Sequence, residues 1–302
     1  MMKRAMSLFR SKSPINFFIR LNVSLWKRLP VELRSTRPMR WYGKILHKLV
    51  SRRADRRQFT GTFFLRNRPM LELICRLIAE KPQGSTLNIA VLGCSIGAEV
   101  YSILWTIRSA RPDLNVRLRA VDNSAEVLKI AEEAVYTSHT CELVGASIFE
   151  RLTDAEFEKI FEGDRREARV RPWLREGVSW HLGDASDPGL TSLLEAPEML
   201  IASNFLCHMA PPEAENCLRN IASFLRPGGF LFVSGIDLDV RAKVARDLRW
   251  QPVPELIKEI HDGDPTVRGD WPCAWWGLEP RDSRRDDWQM RYAAVFQLNE
   301  GS

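Results

Sequence analysis

No run of 18 apolar residues occurs in this 302-residue chain, so no segment is expected to span a bilayer as a helix. The basic N-terminus is not followed by a continuous apolar stretch, which argues against a secretory leader. Cysteine is sparse: Cys75, Cys94, Cys141, Cys207, Cys217 and Cys273 are scattered, with no C-x-x-C pair. Most sit among apolar neighbours, where a reduced cysteine packs as a small hydrophobe. A disulfide framework and a zinc site are therefore not expected, and the chain reads as cytoplasmic, with a peripheral place at a membrane left open. Internal repeats and low-complexity tracts are lacking as well. Apolar residues at 45% and charged residues at 27% are ordinary globular values, which excludes wholesale disorder.

Acids are nearly missing from the front of the chain. Residues 1–58 hold 16 Lys/Arg against Glu32 and Asp55, a balance of +14, while the remainder is mildly acidic at −8. Such asymmetry suggests that the front faces something negative: an acidic protein target, an anionic surface or nucleic acid. Aromatic residues are not interleaved as single-strand binders use them, so nucleic acid is the least favoured.

The residues divide into a basic helical segment, 1–58, and an α/β domain, 59–302. Ser13-Pro14 predicts a helix start, and the stretch to Trp26 carries Ile15, Phe18 and Ile19 among Lys and Arg. That pattern fits either an amphipathic helix on a membrane surface or a helical unit docked on the body. A second helix is predicted after Pro38, through Trp41, Ile45, Leu46, Leu49 and Val50. The run Arg52-Arg53-Ala54-Asp55-Arg56-Arg57 reads as a linker or an exposed helix end. From Phe59 onward a helix at Pro69 to Glu80 precedes a βα alternation, the signature of a parallel sheet. Strands are predicted at Asn88–Leu92, Val116–Val121, Val178–Leu182, Met199–Ser203, Phe230–Ser234 and Tyr292–Leu298, with helices at 98–109, 124–134 and 213–225.

Ligands of open α/β sheets gather at the carboxyl ends of the strands. The first strand ends in Gly93-Cys94-Ser-Ile-Gly97 and feeds a helix carrying Glu99. This is not the G-x-G-x-x-G of a dinucleotide site, and a carboxylate at position 99 would repel a pyrophosphate. It suits a ligand with an amino group and a sulfonium, which favours S-adenosylmethionine over NAD. The second strand ends in Asp122-Asn123, placed for the two ribose hydroxyls of a nucleoside or, compatibly, for capping the next helix. The third ends in Gly183-Asp184-Ala185, where the adenine edge would lie, and the fourth in Ser203-Asn204-Phe205, under the reactive methyl.

These residues resemble the CheR-type family, the chemotaxis-receptor glutamate methyltransferases. Gly93-Cys-Ser-Ile-Gly-Ala-Glu-Val-Tyr-Ser102 resembles the family's G-C-S-T-G-E-E-P-Y-S loop, and Gly61-Thr62-Phe63-Phe64 its T-x-F-F-R segment with the Thr one place late. Ala120-Val-Asp122, Val127-Leu128, Ala131 to Tyr136, Phe161, Val170 to Arg175 and Val178-Ser-Trp180 follow the family's path into the third strand. The resemblance implies a class I methyltransferase (Rossmann-like) fold with a mostly parallel seven-stranded sheet behind a basic helical front. It also implies carboxyl O-methylation of protein glutamate, with cofactor contacts at Gly93, Glu99, Asp122, Asn204, Phe205 and Thr62. Leu65 stands where the family has Arg, with Arg66 one residue on. Ala98 replaces the first acid of the loop, Ser203 the Arg before the Asn, and Gly235-Ile-Asp237 a His-Ser-Glu-like turn.

Half of the ten tryptophans (Trp250, Trp271, Trp275, Trp276, Trp288) fall in the last fifth of the chain, unlike the family. Trp and acids there could form a pocket for a cationic or planar acceptor, or a subcore under a long loop. His261 with Asp262 and Asp264 fits a loop better than a metal site. A carboxylate acceptor needs no base at pH 7, whereas an alcohol or amine would, with His208, His261 or Asp237 as candidates. Asn204, Asp237 and His261 are thus the catalytic candidates. A small-molecule methyltransferase and a non-catalytic cofactor-binding regulatory module are the alternatives.

Overall fold

Alternating β-branched runs and amphipathic helices build a sheet flanked on both faces. The computed structural model describes residues 13–54, 56, 58–140, 146–264 and 269–299; Asp55, Arg57 and Cys141 lie outside them. Strands β1 (Thr86–Leu92), β2 (Asn115–Asp122), β6 (Val178–Leu182), β7 (Met199–Ser203) and β8 (Phe230–Ser234) run parallel. The antiparallel β10 (Val295–Gln297) and β9 (Gln251–Pro252) complete the seven-stranded order β6-β2-β1-β7-β8-β10-β9. This is the mostly parallel sheet of the class I methyltransferase (Rossmann-like) fold. Strand order reverses between β1 and β7, the place where open sheets form a crevice. β1 and β7 are buried along most of their length because helices cover both faces, which accounts for their unbroken apolar sequence.

The helices lie close to their expected places: Arg68–Ile78, Ala98–Ala110, Ala125–Glu133 and Pro211–Ser223. One element was not anticipated. Three short strands, β3 (Val135–Tyr136), β4 (Phe161–Asp164) and β5 (Glu167–Val170), form a separate antiparallel sheet between β2 and β6. It is anchored by an aromatic cluster in which Phe64 meets Tyr136 and Phe161 edge-on at 5.2 and 4.9 Å.

At the front, helices Pro14–Arg28 and Arg37–Arg53 pack on the C-terminal stretch rather than standing apart. Ile19, Trp26, Leu46 and Val50 share a core with Trp271 and Cys273. Gly43 is required there: a Cβ on it would lie 2.4 Å from the Trp271 ring. Arg52 and Arg53 do form an exposed helix end, but Arg56 turns inward. Its guanidinium donates to the carbonyls of Cys207 and Met209 at 2.9 and 2.6 Å and clasps the turn after β7.

Candidate active site

The carboxyl ends of β1, β2, β6, β7 and β8 open into one cavity of about 910 Å³. Gly93, Cys94, Asp122, Asn123, Asp184, Ala185, Asn204 and Phe205 all line it, as do Thr62 and Glu99. Gly97 is the exception. It caps the helix Ala98–Ala110 with φ +84°, and its missing side chain leaves room for Ala131 and Trp180, away from the cavity wall. The glycine thus permits close helix-to-sheet packing at this turn. Gly93 is also constrained by packing, because a Cβ there would strike the Phe205 ring at 2.6 Å.

Asp122 is the hub of the tips. Its Oδ2 accepts from the Ser95 amide at 2.7 Å and its Oδ1 from the Ser124 amide at 3.1 Å. Each oxygen keeps a second lone pair, so both backbone bonds are compatible with ribose hydroxyls on the cavity side. Ser95, which the sequence pattern did not single out, has φ +50° and donates its hydroxyl to the Thr60 carbonyl at 2.7 Å. The Gln58 amide donates to Asn123 Oδ1 at 2.9 Å. The segment 58–62 is thereby strapped across the tips of β1 and β2.

Glu99 sits in the first turn of its helix, facing the cavity. Burial raises its carboxyl above the usual range, while the Ser203 hydroxyl and the Arg66 guanidinium pull the other way. Arg66 lines the cavity, directly after Leu65 with φ +52°. Leu65 buries its side chain in the core, and its amide donates to Ser102 Oγ at 2.9 Å. The Arg one place late in the sequence is thus placed on the wall, paired with Asp264 at 2.6 Å.

Of the catalytic candidates, Asn204 turns the chain at φ +62°, its amide donating to the Ser234 carbonyl at 3.0 Å. Asp237 caps the helix Leu238–Asp247 through Oδ1 to the Asp239 amide at 2.8 Å. His261 is buried and lines the cavity: its Nε2 bonds the Glu279 carbonyl at 2.9 Å and its ring meets Tyr292 edge-on. Asp262 pairs with Arg281, and Asp264 with Arg66 and Arg151, so these three side chains serve different partners. Among the described residues no group of three or more His, Cys, Asp or Glu could hold a metal.

The far wall comes from the two ends of the chain. Trp41, Lys44, His47, Lys48 and Arg52 line it from the front helix, and Trp271, Trp275, Trp276 and Glu279 from the C-terminal stretch. The tryptophans are both core and wall: Trp271 packs edge-on against Trp26 at 5.6 Å and tilted against His47 at 6.5 Å. Glu279 anchors this wall, accepting from Arg291 Nε at 2.7 Å and the Tyr292 hydroxyl at 3.1 Å, with Lys44 at 3.9 Å. Burial holds the His47 imidazole below its usual value, against the opposing pull of Asp237 and Glu279. His47 was missed because nothing in its local sequence ties it to strand tips beyond residue 90.

A glycine-bearing turn with carboxylates at positions 99 and 122 beside it suits an adenosyl ligand carrying an amino group and a sulfonium. Comparison with known proteins agrees. The family model for the CheR methyltransferase, SAM binding domain, matches residues 60–238. The "Probable biofilm formation methyltransferase WspC" of Pseudomonas aeruginosa is 29% identical over 178 residues, 57% of this chain and 40% of that protein. An uncharacterized 104.1 kDa protein of Rhodobacter capsulatus is 25% identical over 189 residues, 60% of this chain and 19% of its own length. The chain therefore spans less than half the length of either relative. Among solved structures, the magnesium protoporphyrin IX methyltransferase ChlM of Synechocystis PCC 6803 with bound SAM is 12% identical. It aligns with TM-score 0.36 over 61% of this chain and 69% of that one. With more than half of its length matched, the chain belongs to the CheR methyltransferase family of S-adenosylmethionine-dependent enzymes.

Proposed function

We propose that this methyltransferase esterifies a glutamate carboxylate on an acidic protein target. The observation that carries the reading is the cavity's far wall. The basic helix Arg37–Arg53 contributes Lys44, Lys48 and Arg52 to the cavity that the strand tips open into. An acceptor entering on that side passes these cations, and an acidic segment would be drawn and oriented by them. Membership of the CheR family and the likeness to the methyltransferase WspC support the same class of reaction.

In this reading Asp122 and Asn123 hold the ribose, Asp184 and Ala185 the adenine edge, and Glu99 the amino group. Thr62, Gly93, Cys94, Asn204 and Phe205 shape the remaining wall. The bound cofactor supplies a methyl already activated by its sulfonium. The protein's part is to align the acceptor oxygen with that methyl and exclude water. A carboxylate is ionised at neutral pH, so the new O–C bond forms as the S–C bond breaks with no proton to remove. In this reading Asp237 and His261, which also line the cavity, are not needed as bases.

Incubation with methyl-labelled cofactor and an acidic helical protein tests this. Base-labile label on protein is the expected result; label that survives base rejects the ester. A second reading is favoured by Trp271, Trp275 and Trp276 lining the same cavity: a small planar acceptor held on the C-terminal wall. Label recovered only in the low-mass fraction would select it.

A further inference from the structure

The helix Pro14–Arg28 is apolar on two opposite sides. Ile19, Val23 and Trp26 form its docked side, against Leu46, Val50 and Trp271. On the other side Ile15, Phe18, Leu21 and Leu25 recur at three- and four-residue spacing, with Phe17 beside them, and all five are open to solvent. Their exposures are 45%, 55%, 48%, 50% and 68%. The short helix Val31–Arg34 extends this surface with Val31 and Leu33, also exposed. An exposed apolar side of this extent ordinarily marks a contact surface. Nothing among the described residues covers this one.

Charge identifies the occupant. Residues 1–28 contain seven Lys/Arg and no Asp or Glu, and Lys27 and Arg28 stand exposed at the end of the helix. A second copy of the chain would bring the same cations face to face, which disfavours self-association through this side. An acidic protein segment would meet the charges and leave five apolar side chains without partners. An anionic lipid surface satisfies both, taking the aromatic and aliphatic side chains into the boundary between headgroups and acyl chains and the cations onto the headgroups.

We infer that the outer side of the helix Pro14–Arg28 docks this enzyme on an anionic membrane surface, in the plane of the interface. A helix lying in the plane of the interface gives peripheral attachment, and no helix among the described residues is long and apolar enough to cross a bilayer. None of Ile15, Phe17, Phe18, Leu21 or Leu25 lines the active-site cavity, and docking therefore leaves that cavity free.

The test is co-sedimentation of the full chain with vesicles of phosphatidylcholine alone and of phosphatidylcholine with one-third phosphatidylserine. Binding to the anionic vesicles is expected to be at least about tenfold tighter and to weaken with added salt. The triple variant F17E/F18E/L21E should lose at least about tenfold of that binding, and K27E/R28E should reduce it toward the neutral-vesicle level. Calorimetry with S-adenosylmethionine checks that both variants are folded; unchanged affinity keeps a failure of docking distinct from a failure of the methyl-transfer reading. Equal binding to the two vesicle types, no binding, or full binding by the triple variant overturns the proposal. So does a dimer in lipid-free sedimentation that the triple variant abolishes, which would assign the surface to a second copy.

Discussion

At the strand-tip end of the cavity the contacts come from backbone and short side chains on consecutive strands. At the far wall they come from bulky side chains on the two ends of the chain. Asp122, Ser95 and Ser124 hold one another through main-chain amides within 30 residues of sequence. Trp26, Gly43 and His47 instead meet Trp271 across more than 220 residues. The first end lies inside the stretch that the family shares, residues 60–238; the second lies wholly outside it. A fixed cofactor and a variable acceptor would call for this division: the tips keep one geometry while the far wall can be rebuilt.

The largest expected effect breaks the far wall alone. Trp271→Ala removes a ring packed against Trp26, His47 and Gly43, and should cost about 3–5 kcal/mol in chemical denaturation. Cofactor affinity by calorimetry should change little, because Trp26, His47 and Gly43, against which that ring packs, all belong to the far side; an equal loss of both would erase the distinction between the two ends. The next breaks the tips alone. Asp122→Asn should weaken S-adenosylmethionine binding by roughly 30-fold, about 2 kcal/mol, with the wall and its stability nearly intact.

A third sharpens the electrostatics of the tips. Burial raises the Glu99 carboxyl above 4.5, so the empty site holds its proton to higher pH than an exposed glutamate does. A ligand ammonium favours the ionised form, so binding releases a proton, and affinity should fall by at most about tenfold per unit as pH drops through that titration. Calorimetry in buffers of different ionisation enthalpy reads the proton; Glu99→Gln should show neither proton release nor pH slope. The smallest effect belongs to a pair remote from both ends. The Arg68 guanidinium holds Glu156 down to about 2. The stability this gives is present above the ordinary carboxylate value and is lost as pH falls toward 2. Since the pair is partly solvent-exposed, Arg68→Ala should cost below about 1 kcal/mol at neutral pH.

The parallel strands and their tips were legible because hydrophobic runs, turn glycines and strand-end acids are local signals with a fixed period. Strands of two to four residues, such as β3 and β9, carry too little alternation to be seen. The misplaced family Arg illustrates a subtler limit. Reading along the chain puts Leu65 at that position, whereas in the structure Leu65 is buried in the core and Arg66 is the residue on the wall. Gly97 carries a tertiary constraint of the same kind: its left-handed conformation caps a helix and brings Ala131 and Trp180 close, contacts that no local pattern displays.

By itself the sequence determined the parallel sheet, the cofactor class and the basic, apolar character of the front, since each is written in neighbouring residues. Only the tertiary structure decided what closes the far side of the cavity, because Trp271 finds Trp26, Gly43 and His47 through shape, and shape complementarity between distant segments leaves no periodic trace in the chain.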